Sequence, residues 1–417
     1  MKQIDTSVST IDRFDQFTIL FDILISIVGA LIVNRLIPIL KDKFIRAQLW
    51  GYDFNKINSR KVKIAESQGV IAAGIFLILM FIMIAIVFSE HLHPQSDFPH
   101  NKFIEYLAAL LSICCMVLLG FADDVLDLRW SVKLLLPLVA SLPLLLVYFA
   151  NYHSTTIILP KPVRPFLGHQ WNLGILYYVY MSMVAVFCTN AINILAGVNG
   201  LEVGQSIVIA SSILLFNFIE MQGSCSEEHL FSLYFMIPFI ACTFPILLRN
   251  WCPAEIFVGD TFCYFAGMTF AVVGIIGHFS KTMLLFFIPQ IINFLLSIPQ
   301  LFHFIPCPRH RLPRLNIDLN KLNPSEIEFK KKDLKPLGWL MLRFFSAMKF
   351  IKYREYKMSD NEIMIATTNF TIINTVLCWS GPLYEGTLTQ ILIVIQIVFG
   401  SLLPFFIRYY LVKFFYD

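Results

Sequence analysis

The chain has 417 residues, of which 57% are hydrophobic and only 14% are charged. A water-facing surface of that size needs far more charge, so the composition excludes a soluble globular protein, a coiled coil and a disordered chain. The net charge of +4 is too small, and too diluted by apolar sequence, to indicate nucleic-acid binding. The composition therefore predicts a chain that is surrounded mostly by lipid.

Apolar runs long enough to cross a membrane recur along the chain. A spanning helix needs about 20 mostly apolar residues, and in lipid each backbone group needs a partner inside the chain. We therefore predict an all-α, polytopic membrane protein with about ten transmembrane helices. The predicted spans are 17–40, 68–88, 103–121, 134–150, 174–192, 204–220, 230–248, 261–279, 282–302 and 384–407.

Lys and Arg concentrate in the loops on one side of these spans, above all in residues 41–67 and 303–383. Because positive residues are retained on the cytoplasmic side, this side is predicted to face the cytoplasm and both termini the opposite compartment. The acidic N-terminal residues predict no removable signal peptide. Residues 1–417 are interpreted as one membrane domain, with 303–383 as a cytoplasmic insertion between the ninth and tenth spans.

One segment of that insertion, Ile363 to Gly381, is apolar enough for a short span but is interrupted by Thr and Asn. This pattern favours an amphipathic helix lying on the membrane. Asn369-Phe370-Thr371 is a glycosylation sequon, so a glycan on Asn369 would contradict the predicted topology.

Acidic residues are rare, and three of them, Asp123, Asp124 and Asp127, lie together after the third span. Such a cluster repels itself unless a cation neutralises it, and Mg²⁺ prefers oxygen ligands with substrate phosphates completing its shell. The alternative is a solvated loop balanced by Arg129 and Lys133.

Two further elements fall on the same side of the membrane. Residues 189–202 place Asn193, Asn199 and Gly197 in an otherwise apolar stretch, which suits close approach of a ligand but is also typical of a helix cap and turn. Asp260 stands at the mouth of the eighth span, where a lone Asp is more often an N-cap than a ligand. A functional role is considered for Asp260 because it lies on the same membrane face as the other elements.

The segment 306–314 contains Arg309, His310 and Arg311 between prolines. Prolines keep the chain extended, and Arg suits bidentate phosphate contacts, so this segment is a candidate phosphate-binding element. The alternative is a basic cluster that only sets membrane orientation.

Together these elements place carboxylates, amides and cations on one membrane face, and the sequence has no GxxxxGK[ST], HExxH or GxSxG motif. Carboxylates that hold a metal, combined with arginines, are typical of phosphoryl transfer, here with a lipid as one substrate. Two alternatives remain: an intramembrane prenyltransferase, because residues 123–127 fit DDxxD, and a nucleotide-sugar carrier.

Long blocks of the sequence resemble a known family: Glu66–Val70, Leu119–Val125, Asn190–Glu202, Val258–Gly267 and Pro306–Asn316. They are similar to the eukaryotic UDP-N-acetylglucosamine:dolichyl-phosphate N-acetylglucosamine-1-phosphate transferases, within the polyprenyl-phosphate N-acetylhexosamine-1-phosphate transferase superfamily. The resemblance covers most of the chain except the first 16 residues and about 317–380.

The resemblance implies transfer of GlcNAc-1-phosphate from UDP-GlcNAc to dolichyl phosphate, giving dolichyl-diphosphate-GlcNAc and UMP, the first committed step of the N-glycan lipid precursor. It also implies a Mg²⁺ cofactor, the endoplasmic reticulum membrane, a cytoplasm-facing site with luminal termini, a homodimer, and inhibition by tunicamycin.

The resemblance further assigns roles to residues. Asn193 and Asp260 would hold Mg²⁺. Asp123 and Asp124 would organise the lipid-phosphate end, support the metal ligands from behind, or act as a base. The expected UDP-GlcNAc-binding residues are Tyr52, Asp53, Phe54, Glu66, Gly197, Asn199, Arg309, His310 and Arg311. The expected dolichyl-phosphate contacts are Lys133, Val186, Phe187, Cys188, Thr189, Asn190, Ala191, Ile192, Asn193 and Ile194.

Overall fold

The computed structural model describes residues 13–56, 62–89, 98–126, 128–152, 155–223, 225–308, 310–357 and 362–416. Within these ranges nine helices are long and apolar enough to cross a membrane, and a bent helix pair brings the number to ten. The prediction of a helical polytopic membrane fold with about ten spans is therefore confirmed.

The helices are, in chain order, α1 (Arg13–Arg46), α2 (Gly69–Val87), α3 (His100–Leu126), α4 (Trp130–Ala140), α5 (Leu142–Tyr152), α6 (Arg164–Leu167), α7 (Ile175–Ile194), α8 (Leu201–Glu220), α9 (Ser226–Asn250), α10 (Gly259–Ile276), α11 (Ser280–Phe286), α12 (Ile288–Leu301), α13 (Pro336–Ala347), α14 (Ile372–Ser380), α15 (Glu385–Ile397), α16 (Leu403–Phe406) and α17 (Lys413–Tyr416). The last span, Glu385–Tyr416, runs from α15 to α17 through π-helical turns at Val398–Leu402 and Ile407–Val412.

The ninth predicted span, 282–302, is not a straight helix. It is divided between α11 and α12, which meet at an angle of 72°. Pro289 opens α12. Because proline has no N–H to donate to the preceding turn, it suits the first turn of a new helix rather than the interior of a continuous one.

Helix α10 forms the centre of the bundle, and every residue from Thr261 to Ile276 is buried. It packs against α3 and α7. Gly267 permits the close approach of α7, because a Cβ at this glycine would lie 2.3 Å from the Cα of Thr189. Small residues at such crossings are typical of helix packing in membranes. This packing brings the start of α10 beside the C-terminal ends of α3 and α7.

Short antiparallel strands complete the fold. The paired strands are β1 (Trp50–Gly51) with β2 (Ile64–Ala65), β3 (Thr156–Ile158) with β4 (Gln170–Asn172), and β5 (Arg314–Asn316) with β6 (Lys321–Asn323). A three-stranded sheet in the insertion has the order β7 (Glu326–Lys330), β9 (Ile363–Thr368), β8 (Tyr353–Lys357).

The prediction of an amphipathic surface helix at 363–381 is wrong. Its first part is the central strand β9, with Ile365 opposite both Phe329 and Glu355, and its second part is α14, seven of whose residues are buried. Asn369 lies between them and is itself buried, donating to Ser325 Oγ at 2.8 Å. A buried amide cannot act as a glycan acceptor while the chain is folded.

Both ends of the described chain lie at the opposite end of the bundle from the start of α10. Thr18 Oγ1 in α1 contacts the Tyr234 hydroxyl near the beginning of α9, at 2.5 Å. The Lys161 N–H donates to the carbonyl of Phe415 at 2.9 Å. The compartment that each face meets stays a prediction.

A candidate active site at one end of the helix bundle

A cavity of about 340 Å³ opens where α7 ends and α8 and α10 begin. Eight of the residues expected to bind substrate or metal line it: Tyr52, Asp53, Phe54, Glu66, Asn193, Gly197, Asn199 and Asp260. Glu202, Asn250, Phe257 and Leu312 are among the other lining residues, and sequence reasoning did not assign them a role. Residues that are far apart in the chain therefore meet in one pocket, as expected from their predicted position on one face of the membrane.

Asp260 connects the cavity to the neighbouring helices. Its Oδ1 accepts a hydrogen bond of 2.9 Å from Asn193 Nδ2, and its Oδ2 accepts one of 2.7 Å from Lys133 Nζ. Lys133 Nζ also lies 3.0 Å from Asp123 Oδ2. One ammonium thus bridges two carboxylates, and Asn193 contacts Asp260 through its amide nitrogen rather than its amide oxygen.

Asp124 caps helix α10 from the side. Its Oδ1 accepts the Asp260 N–H at 2.6 Å, and its Oδ2 accepts the Thr261 hydroxyl at 2.5 Å and the Thr261 N–H at 3.3 Å. These bonds satisfy backbone donors that a helix start leaves unpaired, and a carboxylate is favoured there by the helix dipole. Asp124 therefore acts on the site by fixing the position of Asp260.

Gly259, the first residue of α10, is required by the same contact. Its φ is +72°, a conformation that L side chains rarely adopt. A Cβ there would lie 2.3 Å from Asp124 Oδ2 and 2.8 Å from the Cα of Ser67. The chain passes between Asp124 and Ser67 only because this residue has no side chain.

Asp123 is also used in internal bonds. Its side chain is fully buried and accepts from the Tyr264 hydroxyl at 2.9 Å and from the Leu128 N–H at 3.1 Å. Within the described chain neither Asp123 nor Asp124 lines the cavity, and Asp127 lies outside the described residues. The DDxxD alternative needs carboxylates directed toward a common diphosphate, and these two are directed into the bundle.

Asp53 and Asn199 are hydrogen-bonded to each other in the part of the cavity that lies next to Glu385. Asp53 Oδ2 accepts from Asn199 Nδ2 at 2.8 Å. Burial and the neighbouring charge of Glu385 raise the pKa of Asp53 above its ordinary value. Burial, followed by the charge of Asp260, likewise raises the pKa of Glu66. The cavity is thus lined by several carboxylates, which favours a cation or hydrogen-bond donors on its ligand.

Glu385 is the principal residue that sequence reasoning missed. It begins α15 and is buried. Its Oε1 accepts from Asn55 Nδ2 at 2.9 Å and from the Asn199 N–H at 3.1 Å, and its Oε2 accepts from Lys56 Nζ at 2.5 Å. The signal that could have found it is the one that indicated Asp260, a single acid at the mouth of an apolar span.

The turn between α7 and α8 is also held by a carboxylate. Glu202 Oε1 accepts the Gly197 N–H at 3.2 Å, and Gly197 has a φ of +121°. A Cβ at Gly197 would lie 2.2 Å from Leu312 Cδ2, so this glycine lets the segment 306–314 close over the turn.

The basic segment lies at the rim of the cavity. Arg309 lies outside the described residues, and neither His310 nor Arg311 is among the described residues that line the cavity. The carbonyl of Arg311 accepts from Ser325 Oγ at 3.2 Å and from Asn374 Nδ2 at 3.1 Å, which ties the segment to later residues of the insertion. Burial lowers the pKa of Arg311.

The guanidinium of Arg311 has a buried nitrogen atom. Its Nη1 is buried and has no hydrogen-bond partner within the ranges the structure describes. An unpaired buried donor is costly, so this group is suited to receive an anionic ligand.

The segment Val186–Ile194, expected to contact the lipid phosphate, is the C-terminal part of α7. Most of it is packed in the core, and of its residues only Asn193 lines the cavity in the described chain. Asn190 Nδ2 donates to the carbonyl of Val186 at 2.9 Å, inside its own helix. The contact of this segment with a lipid stays a prediction.

The fold and the site define a polytopic membrane protein with a polar, carboxylate-lined pocket at one end of its helix bundle. Residues 106–278 match the family model of Glycosyl transferase family 4. The chain is 42% identical to the UDP-N-acetylglucosamine–dolichyl-phosphate N-acetylglucosaminephosphotransferase of Schizosaccharomyces pombe, over 94% of this chain and 93% of that relative.

Relatives of the same name show similar agreement. The protein of Saccharomyces cerevisiae is 41% identical over 90% of this chain and 88% of its own, and that of Dictyostelium discoideum is 42% identical over 92% and 87%. The chain therefore belongs to the UDP-N-acetylglucosamine–dolichyl-phosphate N-acetylglucosaminephosphotransferase family, which confirms the resemblance found in the sequence.

Proposed function

We propose that this protein transfers N-acetylglucosamine 1-phosphate from UDP-GlcNAc to dolichyl phosphate, giving dolichyl-diphosphate-GlcNAc and UMP, the first step of N-glycan precursor synthesis. Its membership of the family supports this activity. The structural observation that carries it is the group formed by Asp260, Asn193 and Lys133: Asp260 and Asn193 line the pocket, and the Lys133 ammonium binds the Asp260 carboxylate.

The reaction joins two phosphates. An oxygen of dolichyl phosphate attacks the phosphorus that bears GlcNAc, a new P–O bond forms, and the bond from that phosphorus to UMP breaks. A phosphate monoester has a second pKa of about 6, so the nucleophile is already largely ionised near neutral pH. Catalysis then consists mainly of holding both phosphates in line and neutralising their charge.

Mg²⁺ is part of the proposal, and the donor set fits it. Asp260 and Asn193 offer the carboxylate and amide oxygens that this hard cation prefers. The described residues contain no group of three or more His, Cys, Asp or Glu that could hold a metal, so the protein would supply few ligands and the substrate phosphates the others. Bound there, Mg²⁺ would neutralise charge on the diphosphate.

The remaining residues would divide the substrates between them. Tyr52, Asp53, Phe54, Gly197 and Asn199 line the end of the cavity that would hold the nucleotide sugar. Arg309, His310 and Arg311 would bind its phosphates, and the buried unpaired nitrogen of Arg311 supports this role. Lys133, whose ammonium already bridges two carboxylates, would receive the lipid phosphate.

The proposed setting is the endoplasmic reticulum membrane, with the pocket facing the cytoplasm and both termini in the lumen. The basic loop 41–67 and the insertion both adjoin the pocket, which supports this orientation. A homodimer and inhibition by tunicamycin belong to the same proposal.

The test is an assay of the full chain in nanodiscs with UDP-GlcNAc and dolichyl phosphate. We expect equimolar UMP and dolichyl-diphosphate-GlcNAc. A prenyltransferase would release inorganic diphosphate from a prenyl donor, and a carrier would move intact nucleotide sugar across a sealed vesicle; either result in place of UMP would overturn the proposal.

Asp260→Asn should abolish turnover at ordinary Mg²⁺ concentration while thermal unfolding stays cooperative, because the carboxylate that faces both Asn193 and Lys133 loses its charge. Glu255→Gln is a matched control, since Glu255 is an exposed acid of the preceding loop that pairs with Arg249. Full activity of Asp260→Asn would refute its role.

A further inference from the structure

Helix α13 of the insertion exposes an apolar stripe. Leu337, Leu340, Phe344 and Met348 are spaced along one face at helical intervals, and Leu340 and Phe344 are 61% and 57% exposed. The opposite face is buried: Leu342 packs in a small core with Phe329 and other residues of the insertion. A water-facing helix would carry polar residues on its outer face, so this face requires another explanation.

The charged residues between 335 and 349 all have one sign. Residues 335–349 contain Lys335, Arg343 and Lys349 and no Asp or Glu, and these three residues are exposed. The guanidinium of Arg343 lies 4.2 Å from the centre of the Trp339 ring. Apolar residues flanked by basic and aromatic ones are the pattern of a helix that lies in a membrane interface.

The helix is also at the level of the membrane boundary. A Cβ at Gly338 would lie 2.1 Å from the carbonyl oxygen of Phe304, just beyond the end of α12. At the other end, Trp379 Nε1 donates to the carbonyl of Lys349 at 2.7 Å, shortly before the last span begins at Glu385. Both ends of α13 are therefore held next to the ends of membrane spans.

We propose that α13 lies in the interface of the membrane face on which the pocket opens, with Leu337, Leu340, Phe344 and Met348 among the lipid chains and the basic residues against anionic headgroups. An interfacial helix buries its apolar face roughly 5 to 10 Å into the boundary region. Trp379, which is exposed beside Lys349, suits the same boundary. The membrane surface is the one partner that matches the apolar face, the basic rim and the position together.

The placement has a consequence for the pocket. The insertion holds the segment 306–314 through bonds from Ser325 and Asn374 to the carbonyl of Arg311. A sheet and helix fixed on the membrane surface thus fix the rim of the cavity as well.

The test uses the full chain in nanodiscs, with a genetically encoded spin-label side chain replacing Leu340 or Phe344. A label replacing Arg354, on the exposed strand β8, is the matched control. We expect the labels at 340 and 344 to collide with oxygen and to be protected from a water-soluble nickel chelate, with the reverse at 354. Equal accessibility at all three positions would overturn the proposal. Protection from both reagents together with spin–spin broadening would also overturn it, because a second copy of the chain would then cover the stripe.

The charge component is tested in the same discs. Adding phosphatidylglycerol to phosphatidylcholine should move the label at 340 deeper into the bilayer. The double change Arg343→Glu with Lys349→Glu should remove that shift in depth. Lys357→Glu, an exposed lysine at the end of β8, should leave it intact. A depth that does not respond to the anionic lipid, or that Lys357→Glu changes equally, would refute the role of the basic rim.

Discussion

Glu385→Gln is the sharpest test of how the end of the pocket that we propose for the nucleotide is held together. Glu385 Oε1 accepts from Asn55 and from the Asn199 N–H, and the glutamine oxygen can keep both bonds. The amide nitrogen would then take the position of Oε2, opposite Lys56 Nζ at 2.5 Å and Asn199 Nδ2 at 3.3 Å. The new amide nitrogen, Lys56 Nζ and Asn199 Nδ2 are all hydrogen-bond donors, and they would face one another where a carboxylate oxygen now accepts.

The cost follows from these contacts. Losing a charge-assisted hydrogen bond costs about 1.5 to 3 kcal/mol. The Glu385 side chain is 3% exposed and that of Lys56 31%, so water can partly satisfy the lysine and the lower limit applies. About 1.4 kcal/mol corresponds to a tenfold change in an equilibrium constant. If nucleotide-sugar binding must reorder the pocket, KM for UDP-GlcNAc rises about tenfold.

The assay measures KM for both substrates and kcat. We expect a higher KM for UDP-GlcNAc, with KM for dolichyl phosphate and kcat little changed, because Glu385 adjoins Asp53 and Asn199 and is not bonded to Lys133 or Asp260. Lys56→Met removes the other partner and should act in the same direction, which keeps the test valid if Glu385→Gln fails to fold. An unchanged KM for UDP-GlcNAc in both folded variants, or a selective rise in KM for the lipid, would refute the reasoning.

Three further changes probe the rest of the site. Lys133→Ala should raise KM for dolichyl phosphate, and an unchanged value would remove it from that role. Gly259→Ala should lower both activity and melting temperature, since strain of about 1 to 3 kcal/mol is added where a Cβ meets Asp124. Gly74→Ala is the control, because the space around Gly74 is open. Equal behaviour of the two variants would contradict the argument that the chain passes between Asp124 and Ser67 only with a glycine at 259. Arg311→Ala should raise KM for UDP-GlcNAc more than KM for the lipid, and the reverse pattern would move Arg311 to the acceptor side.

The membrane spans could be predicted because each is a local property of about 20 consecutive residues. The bend between α11 and α12 could not, since Pro289 resembles other prolines that lie inside helices here, such as Pro238 in α9. The strand β9 was also missed. Its apolar residues read equally well as helix or strand, and only pairing with β7 and β8, elsewhere in the chain, decides between them.

In the site, too, local features could be predicted from the sequence, and features that depend on distant contacts could not. Asn193 and Asp260 could be selected from the sequence because polar residues stand out at the ends of apolar spans, and both line the cavity. The adjacent carboxylates Asp123 and Asp124 suggested a metal cluster, but their bonds to Tyr264 and Thr261 exist only in the folded bundle. Sequence spacing reports which groups are close along the chain and not which of them have other partners.

The bonds of Glu385 to Asn55 and Asn199 also bear on how the protein is made. Asp260, Asn193 and Lys133 are all synthesised before the ninth span, whereas the acid that joins the loops at the nucleotide end is supplied by the final helix. A nascent chain can therefore bring Asp260, Asn193 and Lys133 together early, but it joins Asn55 and Asn199 to Glu385 only after residue 385 has left the ribosome and the last helix has docked.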